Sequence, residues 1–334
     1  MIITRTPFRI PLGGGGTDLP AYYSQYGGSL ITAAIDKYMY LNVNQPAISN
    51  KIKLSYSKVE LIDPNNLDSI QHDIVKETLK YLEIKTPIEI NSIADLPAGT
   101  GMGSSSSYTV GLLKSLNTFL RRDLSTHELS EEACKVEIEL AGKPIGKQDQ
   151  FAAAFGGIIH MDIDKSGNVK VTKLNLDQEV VHELENRFMI FYTGIERDAN
   201  KILGEQSEKI KQPSSSKDDK TQVMHEIKNI GVKIKDALIT GDISKFGKLM
   251  NEHWLTKKKV SSKMSNTNID HWYDTAMNNG ALGGKIMGAG GGGFLLLCCE
   301  ECKRKNLRKT MEDQDLKYMD FKFDFEGSKV LANL

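Results

Sequence analysis

The chain contains few cysteines and has no excess of either charge. Four cysteines in 334 residues are too few for a disulfide framework. Cys299 and Cys302 form one Cys-x-x-Cys pair, but no second pair or histidine couple follows nearby to complete a zinc site. Basic and acidic residues number 43 each. This balance gives no electrostatic signal for nucleic acid or for an acidic membrane surface as a partner.

Long apolar runs are also missing from the sequence. The longest candidate, Phe294–Cys299, is far shorter than the roughly 20 residues of a membrane-spanning helix. The N-terminal segment lacks the basic start and the continuous apolar stretch of a signal peptide, so we expect a cytoplasmic protein. A chain of 334 residues exceeds what one hydrophobic core usually serves. We therefore predict two domains, residues 1–180 and 181–334.

Glycine, by contrast, is concentrated in three places. Many of the 29 glycines fall within residues 13–16, 99–103 and 288–293. Dense glycine clusters indicate backbone that approaches a ligand or another segment closely. We refer to them below as the first, middle and third loops.

The pattern of apolar residues and turn residues predicts a mixed α and β chain. Thr17 to Pro20 looks like a helix start with a capping side chain, and Ser125 with Glu128 fits a capping box. Strands are predicted at 2–10, 29–43, 51–56, 87–93, 157–162, 285–287, 294–299 and 321–325. Helices are predicted at 73–82, from about 104, at 126–142, 223–240 and 243–258, and an exposed loop at 211–222.

The middle loop is the sharpest of these features. Three alternating glycines and four successive serines, Ser104–Ser107, precede a helix with apolar residues at helical spacing. Backbone N–H groups of such a loop and the helix dipole together favour an anion. The alternative is a plain helix entry with a serine cap, which needs fewer glycines and serines. The loop lacks the Gly-Lys-Ser/Thr of a Walker A motif, and the glycines at 288–293 precede a strand rather than a Rossmann helix.

Three segments in order resemble the motifs of the GHMP kinases, a family that includes galactokinase, homoserine kinase and mevalonate kinase. They are Thr6–Asp18, Pro97–Ser107 and Lys285–Phe294, and together they extend the resemblance over essentially the whole chain. The family fold that this implies is α+β with two domains, a ribosomal protein S5 domain 2-like N-terminal domain and a ferredoxin-like C-terminal domain. The active site is then expected between them.

The resemblance also implies ATP and Mg²⁺ as cofactors. The residues expected to bind the ATP phosphates are Pro97, Gly99, Thr100, Gly101, Met102, Gly103, Ser104, Ser105 and Ser106. Ser105 and Glu137 are expected to associate with the metal, with Glu139 as the second choice for the carboxylate. Without the resemblance, both glutamates would be taken as solvated helix carboxylates.

Gly146–Gln150 resembles the galactokinase-like segment that carries the catalytic aspartate, which makes Asp149 the expected catalytic residue. Arg9 of the first motif is expected beside it, holding the carboxylate ionised. The alternative role for Asp149 is a helix cap.

The first loop carries Gly15-Gly16 where galactokinase-like sequences have a Glu-His pair, which implies a different or larger sugar. This form resembles the heptose 7-phosphate kinases and, less closely, the fucokinases, so a sugar phosphate and ATP are the expected partners.

Arg197, Lys143 and Lys147 are alternative cations for a substrate phosphate. The sequence leaves two other functions open, a decarboxylase and a non-catalytic regulator on the same fold. It also leaves a homo-oligomer open. The expected substrate residues are Gly15, Gly16, Thr17, Asp18, Arg197, Gly290 and Gly291.

Overall fold

The computed structural model describes residues 1–195, 216–260, 264–288 and 290–334. Within these ranges the chain forms two largely antiparallel sheets with helices packed against them, an α+β arrangement. No helix in the same ranges combines the length and the apolar character that crossing a membrane requires.

The first sheet has eight strands and is organised by the long strand β2 (Gly28–Asn44). One edge of β2 pairs with β1, and the other edge is divided between β6 and β5. The order is β12-β1-β2-β5-β3-β4, with β6 beside β2 and β7 beside β6. The strands are β1 (Ile2–Gly13), β2 (Gly28–Asn44), β3 (Ile52–Ser55), β4 (Val59–Ile62), β5 (Glu89–Ala94), β6 (Ile158–Ile163), β7 (Val169–Lys173) and β12 (Lys329–Asn333).

Helix α3 is the central helix of the first domain and lies against β1 and β2. Leu112, Leu113 and Leu116 are fully buried and belong to one core with Phe8 and Ile10 of β1. Burial around most of this helix explains its weak amphipathic pattern. The helices of this part are α1 (Pro20–Tyr26), α2 (Asp73–Tyr81), α3 (Ser104–Phe119), α4 (Thr126–Cys134) and α5 (Gln148–Phe155).

The second sheet has four strands in the order β11-β8-β10-β9. Every residue of β10 is buried because both faces of the strand are covered. Leu295 and Leu297 pack in one core with Trp254, whereas Leu296 faces the larger core shared with the first sheet. The elements are α6 (Gln178–Arg187), β8 (Phe188–Tyr192), α7 (Ser216–Ile239), α8 (Ile243–Lys258), α9 (Thr267–Asn278), β9 (Ala281–Ile286), β10 (Phe294–Cys299), α10 (Arg304–Glu312) and β11 (Lys317–Met319).

The last strand of the chain returns to the first sheet. β12 pairs with β1, with Ile2 opposite Asn333 and Arg5 opposite Lys329. This pairing satisfies an edge of β1 that would otherwise be exposed. The predicted segment 181–334 therefore contains a strand of the first sheet, and a boundary near residue 180 stays a prediction.

Several local expectations need correction. Helix α7 begins at Ser216, inside the loop predicted at 211–222. The segment 321–325 contributes a single bridge, Phe323 to Ile35, rather than a strand. The capping box at Ser125 and Glu128 is confirmed. The helix predicted at 126–142 is α-helical only to Cys134, and a π-helix follows over Lys135–Leu140. Leu19, not a polar side chain, is the N-cap of α1.

Candidate active site

The first and middle loops and the start of α5 line one cleft of about 970 Å³. Gly288 of the third loop and two lysines of the second domain also line it. The two sheets therefore meet where the glycine clusters lie, as the resemblance implied. The lining residues from the loops and α5 include Gly15, Gly16, Asp18, Pro97, Gly99, Gly101, Gly103, Ser104, Ser105, Ser106 and Asp149.

The middle loop adopts a backbone that favours glycine. Gly99, Gly101 and Gly103 have φ angles of 75°, 79° and 78°, the left-handed region. α3 starts directly after it at Ser104, and no side chain caps its first turn. The orphan N–H groups of that turn and the helix dipole therefore remain available to an anion at the cleft.

The other predicted phosphate-binding residues of this loop differ in their environments. The Thr100 hydroxyl donates to the Pro97 carbonyl over 2.9 Å, which closes the turn. Met102 is fully buried, and its carbonyl accepts a bond from the backbone N–H of Arg9. Met102 thus joins the loop to β1 and has no exposed side chain to offer a ligand.

Ser105 and Glu137 are in direct contact. The Ser105 hydroxyl donates to Glu137 Oε1 over 2.5 Å, and Gln150 Nε2 donates to Oε2 over 2.6 Å. Glu137 is fully buried, and this burial raises its pKa despite the hydrogen bonds from Ser105, Ser106 and Gln150. Glu139, the second choice, is exposed. The π-helix carries Glu137 on its inner side, and such bulges are frequent at functional sites.

Arg9 and Asp149 form a bidentate ion pair. Arg9 Nε and Nη2 donate to the two carboxylate oxygens over 2.7 and 2.6 Å, and Nη1 donates to the Gly101 carbonyl over 2.7 Å. Asp149 lies in the first turn of α5, where the helix dipole favours a negative charge. Gly103 passes so close that a Cβ there would lie 3.3 Å from both side chains. Asp149 therefore pairs with Arg9 and provides no side-chain cap for α5.

The first loop places Asp18 at the cleft. Its carboxylate accepts bonds from the Gly16 N–H over 3.0 Å and the Gln148 N–H over 3.1 Å. Burial, and secondarily the charge of Asp149, raises the pKa of Asp18. A Cβ at Gly146 would lie 1.9 Å from Asp18 Oδ2, so only glycine fits there. Asp18 is thus held rigidly while it faces the space beside Asp149.

Three of the predicted substrate residues, Thr17, Gly290 and Gly291, are not among the residues that line the cleft. Thr17 is fully buried, and its hydroxyl bonds to the backbone of Gly14 and Ser29, so it holds the loop instead of facing a ligand. Gly291 N donates to the Met264 carbonyl, and a Cβ at Gly290 would meet Met264. These two glycines therefore shape the third loop. Arg197 lies outside the described residues.

Sequence reasoning missed two lysines of the cleft. Lys285 on β9 is almost fully buried, and its Nζ donates to the Leu12 carbonyl over 3.1 Å. Lys257 lines the cleft from the last turn of α8. A lysine within an otherwise apolar strand was the available signal for Lys285, whereas nothing in the local sequence distinguishes Lys257 from Lys258 and Lys259.

A glycine-rich loop at a helix N-terminus, a buried serine–glutamate pair and an arginine-held aspartate around one cleft are groups suited to phosphoryl transfer to a small molecule. The family model for the GHMP kinases N terminal domain matches residues 73–157, and the model for the GHMP kinases C terminal matches residues 234–314. The chain belongs to the GHMP kinases, which take their phosphoryl group from ATP.

Individual relatives show which kinases of this family the chain is similar to. The chain is 32% identical to the D-glycero-alpha-D-manno-heptose 7-phosphate kinase of Campylobacter jejuni, over 98% of both chains. It superposes on the crystal structure of a D-glycero-D-manno-heptose 1-phosphate kinase from Bacteroides thetaiotaomicron with a TM-score of 0.81, 26% identity and full coverage of both chains. It is also 27% identical to the mevalonate kinase of Methanocaldococcus jannaschii over 83% of each. The predicted family, two-domain α+β fold and kinase activity are confirmed, and the chain is a sugar kinase.

Proposed function

We propose that this kinase transfers the γ-phosphoryl group of ATP to the anomeric hydroxyl of D-glycero-D-manno-heptose 7-phosphate, giving the 1,7-bisphosphate. The Arg9–Asp149 pair beside the middle loop carries this proposal, because it lies between the predicted phosphate site and the first loop. The similarity to the Campylobacter jejuni enzyme over nearly the whole chain supports the choice of sugar.

The middle loop would hold the ATP phosphates. Its left-handed glycines keep side chains away from the phosphates, and the uncapped first turn of α3 supplies N–H donors. A phosphate held at Gly103 would be close to Asp149, because a Cβ at Gly103 would lie 3.3 Å from the Asp149 carboxylate.

Ser105 and Glu137 fit a magnesium ion. Mg²⁺ in kinases commonly takes one or two carboxylates and completes its shell with phosphates and waters. A buried carboxylate with a raised pKa, held by hydroxyl and amide donors, is a group that a cation would stabilise in its charged form. When bound, the ion would neutralise charge on the transferring phosphoryl group.

Asp149 would orient the acceptor hydroxyl and accept its proton. The hydroxyl oxygen forms the new bond to the γ-phosphorus, the bond to the β–γ bridging oxygen breaks, and ADP leaves. Arg9 holds the aspartate in position through its two hydrogen bonds to the carboxylate. Because the transition state of phosphoryl transfer is loose, alignment and charge neutralisation supply much of the rate.

The first loop would select the sugar. Asp18 can accept bonds from sugar hydroxyls with the lone pairs that Gly16 and Gln148 leave unused. Gly15 and Gly16 provide space where galactokinase-like sequences carry two side chains, which suits a seven-carbon sugar.

The test is turnover of a panel of free and phosphorylated sugars with ATP, monitored by ADP release and by phosphorus NMR of the product. We expect heptose 7-phosphate to give the highest kcat/KM and a new anomeric phosphate signal. Efficient turnover of fucose without turnover of heptose 7-phosphate would instead establish a fucokinase. Absence of ADP release with every sugar would favour the non-catalytic regulator.

A further inference from the structure

Lys285 presents a buried cation to the wall of the cleft. It lies on β9, its side chain is only 2% exposed, and its Nζ donates to the Leu12 carbonyl at the end of β1. An ammonium group has three donors, and one carbonyl satisfies one of them. A buried cation is costly unless further acceptors or an opposite charge accompany it.

Lys257 faces the same part of the cleft from α8. Its Nζ lies 3.8 Å from the position that a Cβ at Gly15 would occupy. Unlike its neighbours Gly14 and Gly16, Gly15 has no left-handed φ, so the backbone does not require glycine there. A Cβ at Gly15 would be in ordinary van der Waals contact with this ammonium group, so Lys257 lies directly beside the first loop.

The charges around Lys285 add to its need for an anion. Its pKa is lowered well below the ordinary lysine range by burial, and then by the positive charges of Lys257 and Arg9. His253, one turn before Lys257, is fully buried, and burial together with the same two lysines lowers its pKa as well. A bound anion would stabilise the protonated form of Lys285.

The sequence suggested two other lysines for this role, and both lie in the first domain. Lys143 pairs with Asp73, and Lys147 bonds to Glu131 and to the Gly167 carbonyl. Lys147 is absent from the lining of the cleft, within the residues that the structure describes. Neither lysine has the position next to the first loop that Lys257 has.

We propose that Lys257 and Lys285 form the subsite for the phosphate monoester of the acceptor sugar. The inference rests on the proposed function, because it assigns the substrate's own phosphate to a place in the same cleft. The dianion would enter beside Gly15, accept charge-assisted hydrogen bonds from both ammonium groups and leave the opposite end of the sugar near Asp149. The kinase would thereby distinguish phosphorylated sugars from free ones.

The test compares Lys257→Met with Lys258→Met, its neighbour on α8, in the full-length protein. Lys258 pairs with Asp270 and is a matched control for removing one lysine charge from this turn. We expect Lys257→Met to raise KM for heptose 7-phosphate about tenfold or more, the effect of one lost charge-assisted hydrogen bond. KM for ATP should stay unchanged, and Lys258→Met should behave as wild type.

Two results would overturn the subsite. One is a rise in KM for ATP instead of the sugar phosphate, which would assign the anion to the nucleotide. The other is an equal change for heptose 7-phosphate and for heptose without its phosphate. Lys285→Met provides a second variant, for which we expect the same selective loss; a matching loss with the free sugar would contradict the proposal.

The wild-type enzyme separates this inference from the proposed function. If it phosphorylates a different sugar phosphate better than heptose 7-phosphate, the proposed substrate is wrong, yet Lys257→Met should still raise KM for that sugar phosphate. If it prefers free sugars throughout, the phosphate subsite itself is wrong.

Discussion

Arg9 Nε and Nη2 bind the two carboxylate oxygens of Asp149 over 2.7 and 2.6 Å, joining β1 to the first turn of α5. The pair connects two segments 140 residues apart in the chain. The remaining guanidinium nitrogen of Arg9, Nη1, donates to the Gly101 carbonyl, so the same side chain also fixes the middle loop. If the proposed function holds, chemistry and nucleotide binding both depend on the Arg9 side chain.

Asp149→Asn should lower kcat by about a hundredfold or more, because general-base and charge effects of this size are typical of positioned carboxylates. Asparagine keeps the shape but loses the charge and the proton acceptor. Steady-state ADP release measures the effect. Asp236→Asn, an exposed site on α7, is the control, and near-wild-type turnover of Asp149→Asn would show that the carboxylate is not catalytic.

Gly103→Ala should reduce activity more than its effect on stability explains. Its φ of 78° and the 3.3 Å approach of a Cβ to Arg9 and Asp149 predict both backbone strain and displacement of the pair. Gly142→Ala is the matched control, since Gly142 has a φ of 63° but a Cβ there has open space.

Both glycine variants should lose about 1–2 kcal/mol in the free energy of unfolding, the usual cost of a left-handed alanine. Urea denaturation measures this loss, and turnover is measured in parallel. We expect Gly103→Ala alone to lose kcat at least about tenfold. Equal turnover of the two variants would mean that contact with the pair is unimportant.

Glu137→Gln should raise the Mg²⁺ concentration for half-maximal activity by about tenfold, because the site loses its charged ligand. Glu139→Gln, which changes an exposed carboxylate two residues away, should have little effect. Activity titrated with MgCl₂ at saturating ATP provides the measurement. An unchanged Mg²⁺ dependence in Glu137→Gln would exclude Glu137 as a metal ligand.

Glu137 should contribute stability to the ligand-free protein that is lost as the pH rises above the ordinary range of a glutamate. Burial raises the pKa of Glu137 above its ordinary 4.5, so the folded state binds this proton more tightly than the unfolded state. The stabilisation is complete below 4.5 and disappears as the pH passes the raised value. Urea unfolding of both proteins at a series of pH values gives the difference in the free energy of unfolding between wild type and Glu137→Gln, which should move against the wild type as the pH rises. A difference independent of pH would assign the effect elsewhere, with Asp18 the first candidate because burial raises its pKa too.

Much of the fold and part of the site could be predicted because their signals are local. The start of α3 after Gly103, the capping box at Ser125 and the strand Phe294–Cys299 each depend on neighbouring residues or on short periodicity. The preference for Glu137 over Glu139 came from a resemblance, and a π-helix that periodicity does not predict accounts for it physically.

The candidate residues for the chemistry can be read from the chain alone: three glycine loops, a serine-rich helix start, and Arg9 and Asp149 in recognisable segments. Which of their side chains reach the cleft depends on how distant segments pack. The tertiary structure buries Thr17 in the first loop, returns β12 to the first sheet, brings Lys257 to Gly15 and places Lys285 in the wall of the same cleft. These contacts join residues far apart in the chain. Their geometry is set by long-range packing, which local backbone preferences do not predict.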